Sequence, residues 1–374
     1  MKFAFIMALA AVLASTAPAA QARPSLENEC RISLNRSSQT LDLSGCNFDS
    51  MNLRNVNFRG ARLVNTSFIG SDLTGANFDK ATLTGAVFSN ATITGAGFKY
   101  ALLTAATFTR ANLAGANFER SRMSNASFID AELQNSNFTD VTANKVNFAG
   151  AKAFGATFVR AILNSTLFSG ADVRKATFRE ARLEFADFTS ALADGATFDL
   201  AVLSDTDMSD FSGIGTSFTQ TDLRRADLFS SQLVDATFTG ANMRRVNLDL
   251  TVLTRAKLDN ASLQHASLVL ARADSATFSG ANLSYSNLMN AQMSNVRAAS
   301  AVLDYSQGSF ANWSNADLRG ASVKFATWHE VQLLSADVLG TNFSRSSLLG
   351  SELVTLPSAG GIFSQTVLPD GSIR

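Results

Sequence analysis

From Leu43 onward a large apolar residue returns at every fifth position: Leu43, Phe48, Leu53, Phe58, Leu63, Phe68. The phase runs without a slip to Leu353, giving 63 repeats, of which 56 have a large apolar centre. Five centres are alanine (Ala143, Ala153, Ala193, Ala273, Ala298) and two are glycine (Gly213, Gly308). Two residues before each centre stands a residue no larger than valine, except Leu41, Met51 and Phe211. An α-helix cannot use this pattern, because five residues advance about 500° and the apolar positions would spiral over every face. A straight strand cannot use it either. The small residue and the centre share a face, but the next pair lies an odd number of residues on and would point the other way. The conflict disappears if the chain turns a corner in every repeat. Four corners of about 90° close a square coil of twenty residues, with both apolar positions inward and the other three facing water.

Such coils stack at the β spacing of about 4.8 Å, so the repeats predict about sixteen coils and a rod of roughly 75 Å. Proline would remove a stacking donor, and none occurs between Ser25 and Leu356. Every tenth residue from Phe48 to Phe198 is phenylalanine, which predicts two phenylalanine ladders on opposite walls of the core. Beyond residue 200 the order loosens, and Trp313 and Trp328 occupy centres.

Ala111-Asn112-Leu113, Ala116-Asn117-Phe118, Ala281-Asn282-Leu283 and Ala316-Asp317-Leu318 closely match the pattern A-(D/N)-L-x-x, and Ser71-Asp72-Leu73 is a near match. In these residues the chain resembles the pentapeptide-repeat family over roughly 41–353. The resemblance implies an all-β fold, a right-handed quadrilateral β-helix. It implies little about activity, because members of one fold serve many functions.

Both ends depart from the phase. Lys2, the apolar run Phe3 to Leu13 and Ala20-Gln21-Ala22 read as a secretory signal peptide over 1–22, cut after Ala22. The apolar run is too short to span a bilayer, and no other stretch is a transmembrane segment. Residues 23–40 are expected to cap the solenoid of 41–353, and 354–374 to form a C-terminal cap or irregular last coil. Phe363 and Leu368 return to the phase, and Pro369-Asp370-Gly371 reads as a turn. Phe211 with Gly213 and Gly215, and Gln307-Gly308-Ser309-Phe310, read as bulges or loosened corners. Export to an oxidising compartment allows a Cys30–Cys46 disulfide, which would close a loop of about 15 residues and add about 3 kcal/mol. The alternative that Cys46 is simply a small buried residue stays open.

Of 374 residues, 46% are hydrophobic and 17% charged, with 29 Phe against 3 Tyr and 2 Trp. Acidic and basic residues number 31 each; without residues 1–22 the balance is 30 basic to 31 acidic. A chain so balanced has no global field to steer it to nucleic acid, and none is expected as a partner. His265 and His329 lie outward and apart, without metal-ligand spacing, so no metal or cofactor is expected. Asp205, Asp207 and Asp210 read as a solvated acidic corner rather than a calcium site. Neither a nucleophile elbow nor a phosphate-binding loop is present, and no carboxylate pair stands out, so the chain is not expected to be an enzyme.

Residues twenty apart stack into rows. One row reads Arg225, Arg245, His265, Tyr285, Tyr305, Phe325, Arg345, with Arg224 and Arg244 beside it. Aromatics suited to a protein or sugar and arginines suited to carboxylates or phosphates make it the candidate interaction surface; a purely structural ladder is the alternative. A second row, Lys80, Tyr100, Arg120, Asp140, Arg160, Glu180, reads as internal ion pairs. A third, Gly75, Gly95, Gly115, Asn135, Gly155, then Gly195 and Gly215, reads as corner geometry. These features favour a non-catalytic scaffold or binding protein, periplasmic or secreted, facing an envelope protein or glycan and leaving a homodimer open. Some relatives in the resembled family mimic duplex DNA and bind gyrase, which needs a strongly acidic surface this chain lacks. A polysaccharide-acting enzyme is the remaining alternative.

Overall fold

A computed structural model describes residues 33–35, 40–352 and 360–374. The expected signal peptide, most of the N-terminal cap, Cys30 and residues 353–359 lie outside the described residues. The chain divides into two compact units, Met1–Ala181 and Arg182–Arg374. Each is a right-handed β-helix whose four turns per twenty residues bring residue i beside residue i+20 in parallel bridges. These run from Asp42–Arg62 to Thr157–Thr177 in the first unit and from Arg182–Val202 to Ser347–Val367 in the second.

One repeat shows how the five-residue beat gives every backbone donor a partner. In Ala116-Asn117-Phe118-Glu119-Arg120, the Ala116 N–H closes a turn onto Leu113 O at 2.9 Å, and Asn117 N–H donates to Ala96 O in the preceding coil at 2.9 Å. Phe118 and Arg120 donate to Asn137 O and Thr139 O of the following coil at 2.7 and 3.0 Å. That leaves the Glu119 N–H, which donates to Asn117 Oδ1 at 3.0 Å. The Asp or Asn before the centre is therefore a local cap for the one donor that stacking leaves over. A second device does the same work. At several repeats where Ser or Thr precedes the centre, an aspartate eighteen residues earlier takes over: Asp194 accepts from Ser212 Oγ at 2.7 Å and from Ile214 N–H at 3.0 Å. Asp259 serves Thr277 and Ser279 in the same way, and Asp304 serves Ser322 and Lys324.

Inside the first unit the phenylalanines stack between coils, Phe88 on Phe108 at 4.7 Å and 2°. The two ladders also interlock, Phe98 meeting Phe108 edge to face at 5.9 Å and 90°. Stacked and perpendicular contacts together exploit both faces of the ring quadrupole. In the second unit Phe198, Phe218 and Phe238 continue the stacking. Most hydroxyls at the small inward position are buried and hydrogen-bonded, as Thr66 Oγ1 donates to Leu43 O at 2.9 Å, whereas Ser121 Oγ and Ser286 Oγ have no hydrogen-bond partner.

Neither expected bulge forms. Around Gly213 the bridges Leu192–Ser212 and Ser212–Gln232 continue in register. Phe211 and Gly213 have exchanged sizes: the Phe211 ring fills the core, and a Cβ on Gly213 would lie 2.6 Å from it. Gly308 likewise makes room for the Trp328 indole, 2.7 Å from where a Cβ would stand. Trp328 Nε1 donates to Ser306 Oγ at 2.9 Å, and its ring stacks on Trp313 at 5.1 Å.

At the N-terminal end β1 (Ser33–Asn35) pairs antiparallel with β2 (Thr40–Asp42), and Leu41 O accepts from Arg62 N–H. At the other end Phe363 stacks on Phe343 at 5.3 Å, in phase as expected. The chain then turns at Leu368 to Gly371 and lays Ile373 antiparallel on Val367, covering part of the last edge.

Candidate interaction surface

Every repeat ends in a turn residue with positive φ, and this decides what the outward rows can be. Gly75, Gly95, Gly115 and Gly155 take φ of 66–69° and Asn135 56°, so the glycine row is corner geometry. The same position holds Arg225, Arg245, His265, Tyr285, Tyr305, Phe325 and Arg345, with φ of 57–61°. Bulky side chains are uncommon in the left-handed region. Here the corner projects them into solvent, where they stack on the residue one coil away.

His265 stacks on Tyr285 at 5.0 Å, Tyr285 on Tyr305 at 4.7 Å and Tyr305 on Phe325 at 4.8 Å, all within 13° of parallel. Arg345 closes the row, its guanidinium 5.5 Å from the Phe325 centroid and its Nε donating to Gln365 Oε1 at 2.7 Å. Tyr285, Tyr305 and Phe325 remain 39–52% exposed. Their faces are taken up by each other, so the ladder offers ring edges and two phenol groups rather than open faces on which a sugar would stack.

The arginines separate into two kinds. Arg224 pairs with Asp222 at 2.6 Å, and Arg225 with Asp205. The Arg225 guanidinium holds the Asp205 carboxyl below the usual carboxylate range. Arg244 and Arg245 belong to no ion pair among the described residues.

Reading single rows missed the other half of the surface. The corner five residues further on carries Leu250, Leu270 and Phe310, 45–50% exposed. Between the two corners lie Asn247, Ser267, Asn287, Gln307 and Thr327, outward in the bridges. Along these three rows no Asp, Glu, Lys or Arg stands from His265 to Thr327, although Asp304 and Lys324 flank the ladder and pair with each other at 3.4 Å. Stepping the ladder row by five would have revealed it.

The row in the first unit is internally paired. Asp140 accepts from Arg160 Nε at 2.7 Å and lies 3.5 Å from Arg120, which donates to the Tyr100 hydroxyl at 2.8 Å. The Asp205, Asp207, Asp210 corner is tied to Arg225 and Ser209, and no group of three metal-ligating side chains occurs among the described residues. His329 Nε2 and Ser347 Oγ share a hydrogen bond of 2.8 Å. Cys46 is buried and not a free thiol, while Cys30 lies outside the described residues. No helix among the described residues is long and apolar enough to cross a membrane.

The family description "Pentapeptide repeat region" matches residues 41–118, and "Pentapeptide repeats (8 copies)" matches 101–140, 144–180, 214–245, 231–268 and 256–295. No curated protein matches the chain. Among solved structures, HetL, a pentapeptide repeat protein involved in heterocyst differentiation regulation in the cyanobacterium Nostoc, is 22% identical, with a TM-score of 0.49. That match covers 62% of this chain and 92% of HetL. A pentapeptide repeat protein of the Arabidopsis thaliana thylakoid lumen is 26% identical, with a TM-score of 0.25, over 25% of this chain and 65% of that one. QnrB1, a plasmid-mediated fluoroquinolone resistance protein, is 16% identical, with a TM-score of 0.30, over 48% of this chain and 82% of that one. The matched repeats span more than half of the sequence, and the chain belongs to the pentapeptide-repeat family.

Proposed function

We propose that this chain is an exported, non-catalytic binding scaffold that uses one face of its second unit to hold a protein of the cell envelope. One observation carries the reading: an exposed aromatic ladder runs beside two further outward rows that, like it, carry no formal charge over several coils. Exposed apolar side chains gathered around uncharged polar ones mark interaction sites, and the centres of protein interfaces are poor in charge and rich in Tyr, Phe and Met. Covered ring faces favour a protein over a glycan. Export rests on the character of residues 1–22. The DNA-mimicking, gyrase-binding alternative needs an acidic surface, which a balance of 30 basic to 31 acidic residues does not favour.

Replacing Tyr285, Tyr305 and Phe325 together by serine leaves the buried core untouched. Capture of the envelope partner is expected to fall at least about tenfold, because loss of aromatic anchors costs more than 1.4 kcal/mol in a typical interface. Undiminished capture by a folded triple variant would show that the ladder is only structural.

A further inference from the structure

We infer that the occupant of this face is a second copy of the same chain, packed antiparallel across a two-fold axis that passes between the coil of His265 and the coil of Tyr285. The inference rests on the reading of the face as a contact surface and names its partner.

The argument is one of charge. A two-fold axis lying in the face and crossing the coils sets each outward residue against the same row of the partner, at mirrored height. With the axis between His265 and Tyr285, Arg245 meets the partner's Tyr305 and Arg225 meets the partner's Phe325. At the same time Asp205 meets the partner's Arg345. Arginine beside an aromatic ring and arginine beside a carboxylate are both favourable. The other corner is apolar on apolar, with Leu250 against the partner's Phe310. Moving the axis by half a coil spoils the match in either direction. Centred on the coil of Tyr285, it sets Arg225 on the partner's Arg345. Centred on the coil of His265, it sets Asp210 on the partner's Glu330. A parallel arrangement sets Asp205 against the partner's Asp210. Like charges facing each other in an interface are costly; on the two corner rows and the row between them one register of the four is free of such a pair, while Arg224 and the partner's Lys324, which lie level beside the ladder, are each neutralised within their own chain by Asp222 and Asp304.

The size is compatible. Eight coils at about 4.8 Å and a face about 10–15 Å across bury on the order of 1,000 Å² in total, the low end for a specific interface. A reversible dimer follows, not a permanent one.

The test is sedimentation velocity of the full mature chain at about 10–100 µM, the range in which an interface of this size associates. The expected mass is twice that of the monomer. Phe310→Glu sets a carboxylate against the partner's Leu250 and is expected to give monomer. Phe310→Glu with Leu250→Arg is expected to restore the dimer. Those two positions are three coils apart within one chain, so rescue has to come across the interface. Both side chains are exposed, and unchanged thermal unfolding of each variant serves as the folding control. A wild-type chain that stays monomeric at about 100 µM, or a double variant no more associated than the single one, overturns the inference. Partner capture is read separately with the serine triple variant, so a monomeric chain that still loses capture in that variant removes the second copy and leaves the binding reading in place.

Discussion

At the scale of single residues, the repeat tolerates exchange as long as the layer is filled. Phe211 stands where a small residue belongs and Gly213 where a large one belongs, yet both are in register and the ring meets Phe188, Phe198 and Phe218 at 6.4 Å. The size exchange is visible in the sequence; its meaning is not, because periodicity alone cannot tell a filled layer from a bulge. Gly213→Leu forces a side chain into the Phe211 ring and is expected to cost about 1–3 kcal/mol. Phe211→Ala empties the layer and is expected to cost about 3–5 kcal/mol. The two together restore the ordinary small–large order, so the double variant should lose clearly less than the sum. Denaturant unfolding of the three variants measures this, and simple additivity would mean that the ring does not occupy the glycine's place. The neighbouring glycine, Gly215, differs in kind: its φ of 65° serves a corner, not a volume.

At the scale of a coil and its neighbours, the outward rows are either self-satisfied or exposed, and the sequence reveals the first class more readily. Alternating signs at Arg120, Asp140 and Arg160 declare an ion ladder, and the side chains do meet. The Asp140 carboxyl, held chiefly by its hydrogen bond from Arg160, titrates below the usual carboxylate range. A carboxylate with a depressed folded pKa stabilises the fold fully above the unfolded value of about 4, and that contribution is lost as pH falls through the folded value. Thermal stability should therefore decline as pH falls below about 4, with a shallower decline in Arg120→Gln/Arg160→Gln. Equal slopes for wild type and variant would remove Asp140 from the acid response. What the sequence hid is of another sort. The aspartate that caps a donor eighteen residues on, as Asp194 does for Ser212 and Ile214, depends on stacking between coils. So does the set of uncharged outward rows, which emerges only when rows at two corners are read together.

At the scale of the whole molecule, a fivefold beat held from Leu43 to Leu353 determines the fold of both units but leaves the place of action to the N-terminal end. Lys2, the apolar run to Leu13 and the small residues before Arg23 propose export, and Cys46 proposes an oxidising destination, since it is buried and not a free thiol. The chain has 2 cysteines, so a bridge within one copy has Cys30 as its other end. Closing that loop ties the segment before β1 to the first coil, where an uncovered strand edge would otherwise invite pairing with another chain. Both proposals are read by one intact-mass measurement on protein recovered from the producing cell's envelope or medium. The expected chain begins at Arg23 and is lighter by the two hydrogens lost on oxidation. Both thiols then become alkylatable only after reduction. Cys30→Ser should lower the thermal midpoint by several degrees, as loss of about 3 kcal/mol from a closed loop of this length requires. A chain that retains Met1, stays with the cytoplasm and alkylates without reductant would defeat export and bridge together, whereas an Arg23 start with two free thiols would defeat the bridge alone.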